Sequence, residues 1–357
     1  MSSSIGKNFK ISIFGESHAK GIGVVIDGVP SGYELDMDEL SAFCQRRTSK
    51  GGLATNRQEK DKPTFYSGIV DNTTCGTPIG AVIENGDTHS SDYDKMKTVA
   101  RPAHADFTGY VRYGGYNDVR GGGHFSGRLT APLVLAGGIA KQILQAQGIT
   151  VGVRIKSIGN VIDKDIDSIT LTDEQLEQIA GKEWPVVNDD ALEKMKAEIE
   201  NAKQNLDSVG GVVECFVLGM PQGVGSPMFR GVENVVSGIV YGIPGVKGVE
   251  FGNGFESSSL MGSQNNDEFI IKDGEVVTST NNHGGILGGI TSGMPIVVRV
   301  AFKPTPSIAK EQNTVDFVDL TEQKLQIVGR HDPCIALRGA VCVEAAVACA
   351  MLDLLMD

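Results

Sequence analysis

Several things are scarce in this 357-residue chain, and each scarcity removes a class of explanation. Positive charge is in deficit: 32 Lys and Arg face 44 Asp and Glu, for a formal net charge of -12. Such a surface repels nucleic acid and anionic lipid, so any anion it binds must meet a local cluster of cations. The six cysteines form no CxxC pair, and a chain of this size folds without disulfides, so we read them as reduced. The first residues, MSSSIGKNFKISIFGES, lack the 7–15-residue apolar core of a signal peptide, which leads to an expectation of a cytoplasmic protein. The most apolar segment, residues 334–356, is interrupted by Arg338, Glu344 and Asp353. It falls short of the ~20 uninterrupted apolar residues of a membrane span and reads as a buried helix.

Missing motifs narrow the chemistry further. There is no HExxH or paired Cys/His spacing for a metal, no GxSxG around a nucleophilic serine, and no GxxxxGK[ST] phosphate loop. There is also no low-complexity linker and no strong internal repeat. We therefore expect one domain over residues 1–357, with a charged helical excursion at 163–207 on its edge.

What is present reads as mixed α and β. Short β-branched runs at 9–14, 23–26, 79–83, 211–218 and 296–302 predict strands, each bounded by turn residues. Helical patterns cover 36–46, 127–146, 173–179, 190–202 and the segment after Pro333, a favoured first helical residue. The order lacks regular βαβ alternation, which favours α+β layers. The two apolar helical stretches, 127–146 and the C-terminal one, are predicted to form the central layer.

Glycine is abundant, 46 residues against an ordinary share of about 7%. The clusters Gly51-Gly52, Gly121-Gly122-Gly123, Gly284-Gly285 and Gly288-Gly289 allow unusual backbone angles and close approach of main-chain N–H groups to a ligand. Tight turns alone would explain any one cluster. Residues suited to chemistry stand beside them, however. His18 follows a predicted strand in FGESHAKG, and His104 lies in ARPAHADF with Arg101 and Asp106 close by, a setting suited to proton transfer near pH 7.

In DVRGGGHFSGRLTAP the glycine run ends at Ser126 and opens a helix whose free N–H groups, with the fork of Arg128, suit a phosphate. Lys303, Thr305 and Ser307 offer donors after a strand, and Arg330, His331 and Asp332 precede Pro333, where Asp332 also suits a helix N-cap. Residue chemistry alone thus reaches a phosphorylated ligand in a pocket of glycines, arginines and two histidines.

Taken in order, GESHAKG, QRRTSKGG, RPAHADFTG, RGGGHFSGR, GVEFGNGF, NNHGGILGGI, KPTPSI and GRHDPC closely resemble the chorismate synthase family, over about residues 11–356. The resemblance implies a homotetramer of single-domain β-α-β sandwiches, with central apolar helices between antiparallel sheets. It also implies a 1,4-anti elimination of phosphate from 5-enolpyruvylshikimate 3-phosphate to give chorismate, using reduced FMN that is not consumed. By the same resemblance His18 assists the departing phosphate, His104 serves near flavin N1, and Asp332 serves near flavin N5. Ser17, Arg47, Arg101, Arg128 and Arg330 then hold the substrate. His124, Ser126, Gly127, Gly288, Lys303, Pro304, Thr305, Ser307 and again Arg330 touch the flavin. No metal, membrane or nucleic acid is implied. The absence of a GxGxxG fingerprint leads us to expect a separate flavin reductase as partner.

The chain departs from the family pattern at Gly52, where an arginine is usual, at His124-Phe125 for Arg-Ser, at Leu129 for Glu, and at Ala19 and Ala103 for glycines. A flavin- or nucleotide-binding module without turnover and a metal-dependent phosphatase are the competing readings.

Overall fold

A computed structural model describes residues 3–48, 61–86, 96–327 and 332–357. Two antiparallel sheets enclose a layer of helices. The first sheet orders its strands Ser4–Ile5, Lys10–Gly15, Gly21–Asp27, Ile79–Glu84 and Pro63–Ser67. Alternation sets its inner face: Ile79, Ala81 and Ile83 are buried, as are Ile22, Val24 and Ile26 on the neighbouring strand. The second sheet orders Val246–Phe251, Ile296–Phe302, Gly211–Leu218, Thr150–Ile158 and Val161–Ile162.

Between the sheets run the helices Thr130–Gln145 and Ala336–Leu355, the first against the first sheet and the second against the second. Glycine at the centre of a helix weakens it by about 1 kcal/mol relative to alanine. Here packing explains the exception: a Cβ at Gly137 would stand 2.3 Å from that of Ala345 on the other helix. Where the helices meet, Glu344 is fully buried and salt-bridged at 2.6 Å to both Arg46 and Lys141. Burial pushes its carboxyl up, but the two cations outweigh that and hold it below the ordinary carboxylate range. The layered α+β sandwich is the architecture expected. No described helix is long and apolar enough to cross a membrane.

Two local expectations are corrected. The last helix begins at Ala336 with Ile335 at its N-cap, so Pro333 is not its first residue and Asp332 does not cap it. Instead the Asp332 carboxylate accepts from Arg338 Nη1 at 2.7 Å. The helices Asp173–Ala180 and Asp189–Gln204 of the charged excursion bury Leu176, Met195 and Ile199. Leu176 seats on Gly152, whose Cβ would come 2.5 Å from the leucine Cγ. The strand Thr150–Ile158, which no sequence pattern predicts, is therefore buried on both faces and carries the buried Arg154, paired with Glu214 and Asp163.

Candidate active site

The glycine run at 121–123 is where the two histidines come together. All three residues hold left-handed angles, φ +58°, +84° and +53°. A Cβ at Gly121 would lie 2.2 Å from His18 Cε1 and 2.8 Å from Ser17 Oγ; one at Gly122 would lie 3.4 Å from His104 Nε2. The loop thus passes between His18 and His104, with no room for a Cβ at Gly121 or Gly123. Ser17 N donates to Gly123 O at 3.2 Å, tying the loop after the first sheet's second strand to the glycine run. Ser17 is fully buried, and its hydroxyl has no hydrogen-bond partner among the described residues.

His104 is oriented from behind. Its Nδ1 lies 2.7 Å from Asp106 Oδ1, and Arg101 grips the same carboxylate through Nε at 2.8 Å and Nη2 at 2.7 Å. Burial pushes the Asp106 carboxyl up, yet the hydrogen bonds from Arg101 and His104 outweigh it and hold it well below the carboxylate range. The ionised Asp106 carboxylate accepts only, and at 2.7 Å it stands closer to Nδ1 than the Arg101 Nη2 donor at 3.1 Å, so the proton sits on Nδ1 and His104 turns Nε2 toward Gly122.

The arginines are held by carboxylates that give little direct sign of themselves in the sequence. Buried Asp61 bridges two of them: Arg47 donates Nε to Oδ2 at 2.7 Å, and Arg128 donates Nη1 to Oδ1. Arg128 Nε also donates to Asn85 at 3.0 Å. Arg338, in the first turn of the last helix, donates Nε to Arg47 O at 2.9 Å and Nη1 to Asp332, whose own carbonyl accepts from Thr305 Oγ1 at 2.7 Å.

These groups open on one cavity of about 1440 Å³. Among the described residues, four arginines (47, 101, 128, 338) and three lysines (247, 303, 324) line it against two aspartates, Asp316 and Asp332. His18, His104, His124, Ser126, Gly127, Thr305 and Ser307 are also in its walls. Ser126 caps the 3₁₀ turn Gly127–Leu129, accepting from Arg128 N, and leads into the central helix. Lys303 donates to Ala103 O at 2.5 Å, and burial, then Lys247, push its ammonium pKa down. Five of the six cysteines are buried, and none is in a disulfide.

Most of the site residues named from the sequence converge here, and a few stand apart. Ser17 sits behind the wall, Pro304 between two lining residues, and Gly288 away from it in the hairpin turn between Ile286–Leu287 and Ile290–Thr291. Arg330, His331 and Gly52 lie outside the described residues. Both ring nitrogens of His124 are engaged, with Gly15 O at 2.8 Å and Ser3 Oγ at 2.7 Å, so it offers a ligand ring surface and no hydrogen bond. Leu129 is buried with Ile22, Ile83 and Ala131, and Ala103 keeps φ +58° where glycine is usual. Asp61, Arg338 and Lys247 join the site without having been named from the sequence. In the sequence Arg338 registers only as an interruption in an apolar run, although its place one turn into a helix aimed at the site is a usable signal.

A family model described as chorismate synthase matches residues 9–356. A chorismate synthase of Pyrococcus abyssi is 47% identical over 352 residues, 98% of this chain and 97% of its own. One of Dehalococcoides mccartyi is 45% identical over 355 residues, 99% of this chain and 96% of its own. A crystal structure titled as chorismate synthase superposes with a TM-score of 0.76 at 28% identity, covering 99% of this chain and 93% of that one.

Proposed function

The chain belongs to the chorismate synthase family, and we propose that the elimination that defines the family takes place in this cavity, between His18 and His104. The activity is that of a carbon–oxygen lyase: phosphate and a ring proton leave 5-enolpyruvylshikimate 3-phosphate, giving chorismate in the last step of the shikimate pathway. The observation that carries the placement is the Gly121–Gly123 loop, which brings the two histidines together at the edge of an arginine-lined cavity.

The substrate bears a phosphate and two carboxylates, and planar Arg forks suit such groups better than ammonium does. Arg47, Arg101 and Arg128 hold these anions, and Arg330 is assigned with them on the resemblance alone. Their carboxylate partners fix each guanidinium before substrate arrives, so little side-chain entropy is lost on binding. His18, beside Gly121 and Ser17, assists the departing phosphate, and Ser17, behind the wall at that end, is assigned to the substrate on the resemblance alone. With Asp106 occupying Nδ1, His104 exchanges protons with a ligand through Nε2.

The cofactor in this proposal is reduced FMN. The cavity exceeds the roughly 300–1,000 Å³ of an ordinary small-molecule pocket, which supports a site shared by a flavin and the substrate. Lys303, Pro304, Thr305, Ser307, Ser126, Gly127 and His124 form its protein side, with Arg330 and Gly288 assigned from the resemblance. When bound, the reduced flavin supplies electron density for C–O cleavage without net oxidation. Asp332, held by Arg338, is the carboxylate that manages the substrate's ring proton on the flavin side. A separate reductase, a homotetramer and a cytoplasmic setting complete the proposal.

Anaerobic incubation of the purified chain with reduced FMN and 5-enolpyruvylshikimate 3-phosphate should yield chorismate and inorganic phosphate in equal amounts. Folded protein that makes neither would overturn it.

A further inference from the structure

A second constellation lies outside the cavity. The Asp267 side chain is buried and accepts from the backbone N–H groups of Asn282 at 2.8 Å and His283 at 2.9 Å, from the Thr280 hydroxyl, and from His283 Nδ1. On the far side of the ring, His283 Nε2 lies 3.0 Å from Ser292 Oγ. The orientation of every proton follows. A carboxylate already taking three other donors is acceptor only, so His283 carries its proton on Nδ1. Nε2 then bears the lone pair, and the Ser292 hydroxyl must donate to it. This is the hydrogen-bond order of an activated serine: carboxylate, imidazole, hydroxyl.

The surroundings suit attack by that oxygen. Ser292 follows the short strand Ile290–Thr291 and is half-buried, and the next residue, Gly293, is exposed with φ +85°. Met294 N donates to Ser292 Oγ at a long 3.4 Å, a weak contact that gives way when the oxygen attacks. None of these residues lines the elimination cavity.

We propose that Ser292 is a nucleophile activated by His283 and Asp267, a site of covalent modification by activated acyl or phosphonyl esters. In the step, Ser292 Oγ bonds to the electrophilic carbon or phosphorus as its proton passes to His283 Nε2. The bond to the leaving group breaks with its electron pair, and the proton then goes to the leaving group or to water. No oxidant or metal is needed.

The test uses the full-length chain and a fluorophosphonate, in which a P–O bond to Ser292 replaces P–F and fluoride departs. Intact-mass and peptide analysis should find one phosphonyl group per chain, on Ser292. The adduct should be absent from Ser292→Ala, whose chorismate formation and thermal midpoint stay near wild type. His283→Gln should label on the order of 10²-fold more slowly. If the three residues only pin their loops together, the folded wild-type chain will carry no Ser292 adduct, or His283→Gln will label at the wild-type rate. Either result overturns the proposal.

Discussion

His104 Nδ1 lies 2.7 Å from Asp106 Oδ1, and Arg101 grips both oxygens of the same carboxylate. One aspartate therefore fixes both a proton carrier and an anion clamp. Asp106→Asn keeps the shape but removes the charge and permits the other tautomer of His104. Steady-state turnover should fall by ~10²–10⁴, the range associated with a misdirected acid–base histidine. Circular dichroism should show the fold intact, and turnover within a factor of two would remove Asp106 from the account.

Gly121→Ala sets a Cβ 2.2 Å from the His18 ring at φ +58°. The backbone strain alone costs on the order of 1–3 kcal/mol. We expect a lower thermal midpoint together with a loss of turnover that exceeds any loss of substrate affinity, because His18 is displaced. Gly274→Ala, also at positive φ but in open space, is the control and should cost stability only.

Asp61→Ala leaves Arg47 and Arg128 in a buried place without the carboxylate that joins them. Removing one partner of a buried ionic group costs about 3–5 kcal/mol. Inorganic phosphate should raise the thermal midpoint of this variant more than that of the wild type, since an anion can take the vacated place. Equal shifts in calorimetry would argue against a shared anion site.

The buried carboxylates also set a pH dependence. Glu344 and Asp106 are both held below the ordinary carboxylate range in the folded chain, so each contributes stability that is present above the unfolded pKa. That contribution should decline as pH falls below about 4, toward the depressed folded values. In denaturant melts, the stability gap between wild type and Glu344→Gln should therefore narrow from pH 7 to pH 3.

Much of this architecture is legible in the amino-acid sequence. Turn residues bound the strands at 211–218 and 296–302 and place both to the residue, and the two apolar helices announce the middle layer. The strand Thr150–Ile158 is not legible, because burial on both faces erases alternation and the paired Arg154 breaks its apolar run. At the site, the histidines and arginines stand beside glycine clusters and can be named. Their carboxylate partner Asp61 cannot, since it meets Arg47 and Arg128 only through tertiary packing. The glycine run is expected to approach a ligand, and its first contacts prove to be the two histidines.

The central claim is that elimination depends on the histidines flanking that loop. The most direct measurement is anaerobic chorismate formation with saturating reduced FMN by wild type, His18→Ala and His104→Ala. The account predicts turnover lower by ~10²–10⁴ in each variant, with the fold retained. Wild-type rates in either would contradict it.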